Sequence, residues 1–120
     1  MADVHWLVEE IGPRESRSAA EQAAVKGVIA RLEQAGWSVI PNIDSPLACR
    51  GNGSRLFLAH VDTVPGSPGA IDNAGSVAVL LELARTTQAR DLCLGFPVQE
   101  EIGLLGSTQM AHSWQSLGLN

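Results

Sequence analysis

The chain has 120 residues, 45% of them hydrophobic and 18% charged, which suffices for one domain with a buried core. Its net charge of -5 and single lysine exclude the basic face that nucleic acid or an anionic membrane would require. The longest apolar run, Val77 to Leu81, is too short to span a bilayer, and the acidic start MADVHWLVEEIG has no signal-peptide core, so a cytoplasmic protein is expected. Cys49 and Cys93 lie in separate apolar runs without CxxC spacing and are expected to be reduced core thiols.

Ala2 to Ile11 reads as a short helix stopped by Gly12 and Pro13. Ser16 and Ser18 are N-cap candidates for a second helix over about Ala19 to Ala35, whose apolar positions Ala24, Val28, Ile29 and Leu32 share one face. Gly36 stands where a C-terminal glycine cap belongs. Trp37 to Ile40 reads as a strand. Leu47 to Cys49 and Leu56 to Val61 are two more, and the intervening RGNGSR predicts a hairpin between them. The proline- and glycine-rich loop TVPGSPGA follows. Beyond it a helix is expected over about Gly75 to Arg90, then a strand over Leu92 to Val98 and an amphipathic helix over Ser107 to Leu117. The closing SLGLN has the pattern of another strand beginning. Strands alternating with helices imply an α/β sheet covered by helices, as a single unit over residues 1–120.

In such sheets functional groups collect at the carboxyl ends of strands. His60 and Asp62 end one strand, Glu100 and Glu101 end another, and Asp72 lies at the loop-to-helix junction. Each signal alone has a structural explanation: a strand-borne HxD, a helix N-cap at Asp72, an exposed turn at the glutamates. Together, at successive strand ends, they form a ligand set suited to zinc. Alternation along a strand puts His60 and Asp62 on one side, so Asp62 can hold the imidazole while His60 meets a metal. Asp72 can bridge two ions. One glutamate can bind metal while the other takes a proton from water, and cations would offset the repulsion between them.

HVDTVPGSPGAIDNAGSVAVLLELAR followed by EEIGLLGS closely resembles the M28 family of zinc aminopeptidases, and IGPRESRSAAEQAAVKGVIARLEQAGWSV is similar to that family's opening helix and strand. The related M20 peptidases share an HxDTVP-like stretch. The resemblance implies a three-layer helix-sheet-helix fold with a mixed, mostly parallel sheet, truncated at its C-terminal side relative to the full zinc-peptidase fold. It implies a zinc-dependent exopeptidase with up to two zinc ions, hydrolysing peptide bonds through a metal-bound water. By that match His60 binds one zinc, Asp72 bridges both, Glu101 binds the other, Glu100 is the general base and Asp62 orients His60. A cis peptide after Asp72 is implied as well.

The family pattern also has an aspartate and a histidine well downstream of the glutamate pair. Here no aspartate follows Asp91, and the only later histidine is His112, expected to be a surface or packing residue of the last helix. Two alternatives therefore stand beside a peptidase: a catalytically impaired interaction or scaffold module, and a related amide hydrolase or cyclase. The expected partners are a peptide or small amide substrate and, because the sheet would keep an open edge, a second copy or a complementing chain.

Overall fold

The computed structural model describes residues 2–51, 53 and 55–114. The N-terminal segment coils as α1 (Ala2–His5) and runs on through a wider helical stretch, Trp6–Ile11, until Gly12 takes φ 77° and ends it. α2 (Ala19–Gln34) starts as its sequence predicts: Ser18 is the N-cap, and its hydroxyl accepts the Glu21 amide. It ends at Gly36, φ 88°, and buries Ala24, Val28 and Leu32. Three strands follow among the described residues: β1 (Leu47–Arg50), β2 (Leu56–Leu58) and β3 (Leu92–Gly95). α3 (Ser76–Thr86) lies between β2 and β3, and α4 (Leu105–Ser113) follows β3.

The hairpin expected across RGNGSR does not form, because β3 lies between its two arms. The strand order is β1-β3-β2, with β1 antiparallel and β2 parallel to β3. Every residue of β3 is buried, whereas β1 and β2 retain partly exposed positions. A strand apolar on both faces belongs in the middle of a sheet, and no local turn propensity competes with that burial. The sheet is thus mixed, with one pair of each kind.

Three further expectations change. Trp37 to Ile40 contributes a single bridge, Val39 to Ala48, rather than a strand; Pro41 lacks a donor and Asn42 turns the chain at φ 66°. The third helix stops at Thr86 rather than Arg90, because Thr87 is extended and its hydroxyl accepts the Ala89 amide in a local turn. The cysteines are not free thiols: Cys49 and Cys93 face each other across the β1–β3 register with Cα atoms 4.1 Å apart, and form a disulfide. The last helix begins at Leu105. Its expected extension to Leu117 and the strand-like SLGLN lie outside the described residues.

The sheet separates two apolar layers. On one face Ala48, Leu92, Leu94 and Phe96 pack with α2 and α3 side chains such as Val28, Leu32, Val77 and Leu81. On the other, Leu47, Cys93 and Met110 of α4 form a smaller cluster. Asp3 of α1 binds Arg31 of α2 and Arg85 of α3, fastening the first layer. Trp6 packs so close to α2 that a Cβ at Gly27 would meet its ring at 2.1 Å. The result is a small helix-sheet-helix domain. Among the described residues no helix is long and apolar enough to cross a membrane.

Candidate functional site

Beyond β2 the parallel pairing continues irregularly: the amide of Ala59 donates to Gly95 O and that of Val61 to Pro97 O. His60 and Asp62 are thereby carried alongside the segment that leaves β3 for Gln99, Glu100 and Glu101. The two sequence-predicted clusters meet at the carboxyl ends of neighbouring parallel strands.

Asp62 organises this meeting. It is fully buried; Oδ1 accepts the Glu100 amide at 2.9 Å, and Oδ2 accepts the Glu101 amide at 3.0 Å and the Ser16 hydroxyl at 2.6 Å. Burial alone would raise its pKa, but hydrogen bonds from His60, Ser16 and the two amides outweigh it and hold the carboxyl at about 2. His60 Nδ1 lies 3.1 Å from Asp62 O and 3.5 Å from Asp62 Oδ1. Its Nε2 is 2.9 Å from Asp72 Oδ1 and 3.7 Å from Glu100 Oε2. Burial opposes charge on this ring, yet the Asp62 hydrogen bond and the charge of Glu100, with Asp72 behind them, raise its pKa to about 9.

Asp72 sits in a wide turn, Ala70–Gly75, where it and Asn73 leave helical angles and the bond between them is cis, as the resemblance implies. Its side chain is largely exposed. The glutamates ride a single tight turn, Glu100–Ile102, entered through Gln99 at φ 57° and left through Gly103 at φ 110°. Gly106, three residues on, lets α4 approach β3's extension: a Cβ there would lie 2.3 Å from Val98 O.

Among the described residues, His60, Asp72 and Glu101 each present one ligand atom, all within 4.8 Å of one another. Among the described residues Glu101 Oε1 is buried and has no hydrogen-bond partner. Burial, then the charges of Glu100 and Asp72, raise the Glu101 pKa. An orphaned carboxylate oxygen beside an imidazole nitrogen and a second carboxylate fits a hard or borderline divalent cation, which would supply the missing partner and offset the crowded negative charge. Glu100 stands at the rim of the cluster. His5 and His112 are exposed and lie outside it.

Four residues that matter here carry no obvious motif. Arg14 is fully buried and donates to the carbonyls of Val61, Leu7, Gly12, Pro68 and Gly69. Ser16, read from sequence only as a possible helix cap, instead holds Asp62. Glu21 accepts the amides of Arg17 and Gln99 at 2.9 Å each, joining the start of α2 to the glutamate turn. The Ser18-x-x-Glu21 spacing of a capping box is the sequence signal that could have found it. Gln99 places that turn through its left-handed backbone.

The sequence matches the model of Peptidase family M28 over residues 47–118, more than half of the chain. It is 31% identical over 101 residues to the vacuolar membrane protease of Yarrowia lipolytica, covering 78% of this chain and 10% of that protein. It is 44% identical over 57 residues to aminopeptidase YwaD of Bacillus subtilis, covering 42% of this chain and 12% of that one. The chain thus spans about a tenth of the length of these curated relatives. In fold it is similar to the crystal structure of LapB from Legionella pneumophila, with a TM-score of 0.79 and 17% identity over 98% of this chain and 40% of that one.

Proposed function

Because the chain belongs to peptidase family M28, we propose that it carries the metal-binding and proton-transfer groups of a zinc-dependent exopeptidase of aminopeptidase type. The observation that supports this most is the buried, unpartnered Oε1 of Glu101 beside His60 and Asp72. In this reading His60, Asp72 and Glu101 hold the metal. When bound, zinc supplies Lewis acidity toward a scissile carbonyl and an attacking water.

The remaining roles belong to the chain. The Nδ1–H of His60 donates to the backbone carbonyl of Asp62, with the Asp62 carboxylate close behind, which fixes the tautomer and turns the Nε2 lone pair toward the cluster. Glu100, whose Oε2 lies 3.7 Å from that nitrogen, takes a proton from the attacking water and returns it to the leaving amine. Asp62 also grips both glutamate amides, so base and ligand are placed by one buried carboxylate.

The test combines elemental analysis with turnover of aminoacyl substrates. Protein purified without chelator is expected to retain zinc. Glu101→Gln and His60→Gln should lose most of it, while Glu100→Gln keeps it and loses hydrolysis by at least about a hundredfold, the usual contribution of a general base. Hydrolysis persisting in Glu100→Gln would refute the base assignment, and wild type without zinc would refute the metal reading. A second reading, a metal-holding scaffold without turnover, draws on the cluster's three ligands, fewer than a dinuclear site uses. Zinc retained by wild type with no hydrolysis would favour it.

A further inference from the structure

The turn that carries Glu100 and Glu101 is held by two buried carboxylates from elsewhere in the chain. The amides of Glu100 and Glu101 reach Asp62, and that of Gln99, just before them, reaches Glu21 Oε2 at 2.9 Å. Asp62 has its partnership with His60 to explain it. Glu21 has no such explanation: it sits in the first turn of α2 and is 3% exposed. A glutamate three residues after a serine N-cap ordinarily reaches back to the amide of that serine. Here the Ser18 amide donates to Glu15 O at 3.0 Å instead. The Glu21 carboxylate is turned elsewhere, with Oε1 accepting the Arg17 amide and Oε2 the Gln99 amide. A helix cap alone would need neither burial nor a partner 78 positions away.

The two residues it grips share a conformation. Arg17 has φ 66° and Gln99 φ 57°, both left-handed and neither glycine. A side chain disfavours that region, so it persists only where the surroundings impose it. At Gln99 the consequence is one of direction. The chain leaves β3's line at Val98, whose amide donates to Ser45 Oγ, and swings at once into the turn Glu100–Ile102. Were Gln99 to relax out of the left-handed region, the chain would depart along another path and carry Glu100 off the rim of the cluster. Glu101 is better protected, having the Asp62 bond and, in the proposed reading, the metal to place it. The Glu100 carboxylate has only its backbone, since Oε2 stops 3.7 Å from His60 Nε2, beyond a hydrogen bond.

We infer that Glu21 is a positioning residue for the general base: by holding Gln99 left-handed through its amide, it aims the Glu100 carboxylate at the cluster of His60, Asp72 and Glu101. The inference rests on the reading of Glu100 as base and deepens it. Ser16 belongs to the same short segment and reaches Asp62 as Glu21 reaches Gln99. The start of α2 is therefore the mount of the glutamate turn.

The test compares Glu21→Ala, which removes both acceptor oxygens, with Glu21→Gln, which keeps one. The readouts are zinc content, kcat and KM on aminoacyl substrates, and amide hydrogen exchange by NMR. Glu21→Ala is expected to keep its zinc and its KM and to lose kcat by about ten- to a hundredfold, the scale of a misplaced reacting group. Glu21→Gln should fall between it and wild type. Adding Gln99→Gly, which takes a positive φ freely, should raise the kcat of Glu21→Ala at least about threefold, whereas adding Arg17→Gly should not. A role confined to the start of α2 would give the reverse pattern. Unchanged kcat in Glu21→Ala overturns the inference, and so does rescue by Arg17→Gly alone. A wild type without hydrolysis would instead defeat the reading of Glu100 as base, and exchange then decides the hold on Gln99. That amide should exchange at least about tenfold faster in Glu21→Ala while those of Glu100 and Glu101 change little, and equal rates overturn it. Should Glu21→Ala fail to fold, Glu21→Gln carries the same outcomes.

Discussion

A carboxylate without exposed surface keeps its charge only if donors replace the water it has lost, and at Asp62 those donors come from Ser16, His60 and the amides of Glu100 and Glu101. Asp62→Asn should therefore cost about 2 to 3 kcal/mol, because the new NH₂ group faces donors and leaves at least one of them unpaired. Urea denaturation checks this, and wild-type-like stability would contradict it. The same shift predicts an acid limit. Asp62 has a folded pKa of about 2, below its unfolded value near 4, so its contribution is complete above pH 4 and is lost as pH falls through 4 toward 2. Unfolding midpoints across that window should fall in wild type and flatten in Asp62→Asn. His60, Asp62, Asp72, Glu100 and Glu101 were legible in sequence because metal-capable residues at successive strand ends are few. Arg14, Ser16 and Glu21 were not legible in these roles, because their partners Val61, Asp62 and Gln99 lie 46 to 78 positions away.

The elements were legible where their signals are local and lost where they depend on distant pairing. α2 starts at Ser18 and closes at Gly36 as its caps predict. The arrangement of β1 and β2 about β3 is decided by which strand is apolar on both faces once the sheet assembles, information absent from the turn between them. The disulfide follows the same logic: sequence spacing says nothing about whether two cysteines meet, whereas the β1–β3 register sets Cys49 opposite Cys93. Closing a loop of 44 residues restricts the unfolded chain by about 4 kcal/mol in the chain-entropy account. Paired substitution of both cysteines by alanine should lower stability by up to about that amount, measured by urea denaturation without reductant. No loss would mean that the bond does not form in solution.

Across the whole molecule, the site's excess of carboxylates couples protonation to the fold and, in the proposed reading, to metal. His60 has a folded pKa of about 9 against an ordinary value of 6.5. Without metal, its contribution to stability is complete below pH 6.5 and is lost as pH rises through 9. Metal requires the neutral ring, so zinc affinity should rise over the same window. Thermal unfolding should then show metal-free protein weakening from pH 6.5 to 9 and zinc-loaded protein gaining relative to it, by about 2.7 kcal/mol at a hundredfold excess over Kd. His60→Gln should abolish both trends, and identical pH profiles with and without zinc would contradict the coupling.

The guanidinium of Arg14 spans the same distances from the other side. It donates to carbonyls before α2, at Val61 between the two site residues of β2's extension, and at Pro68 and Gly69 of the loop that leads to Asp72. A buried cation left with only some of these acceptors would be costly, so none of the three segments can detach cheaply while the others stay in place. The amino-terminal coil, the histidine strand and the proline-rich loop therefore come apart together or not at all, and breathing of the loop that leads to Asp72 is an event of the whole domain rather than of the loop.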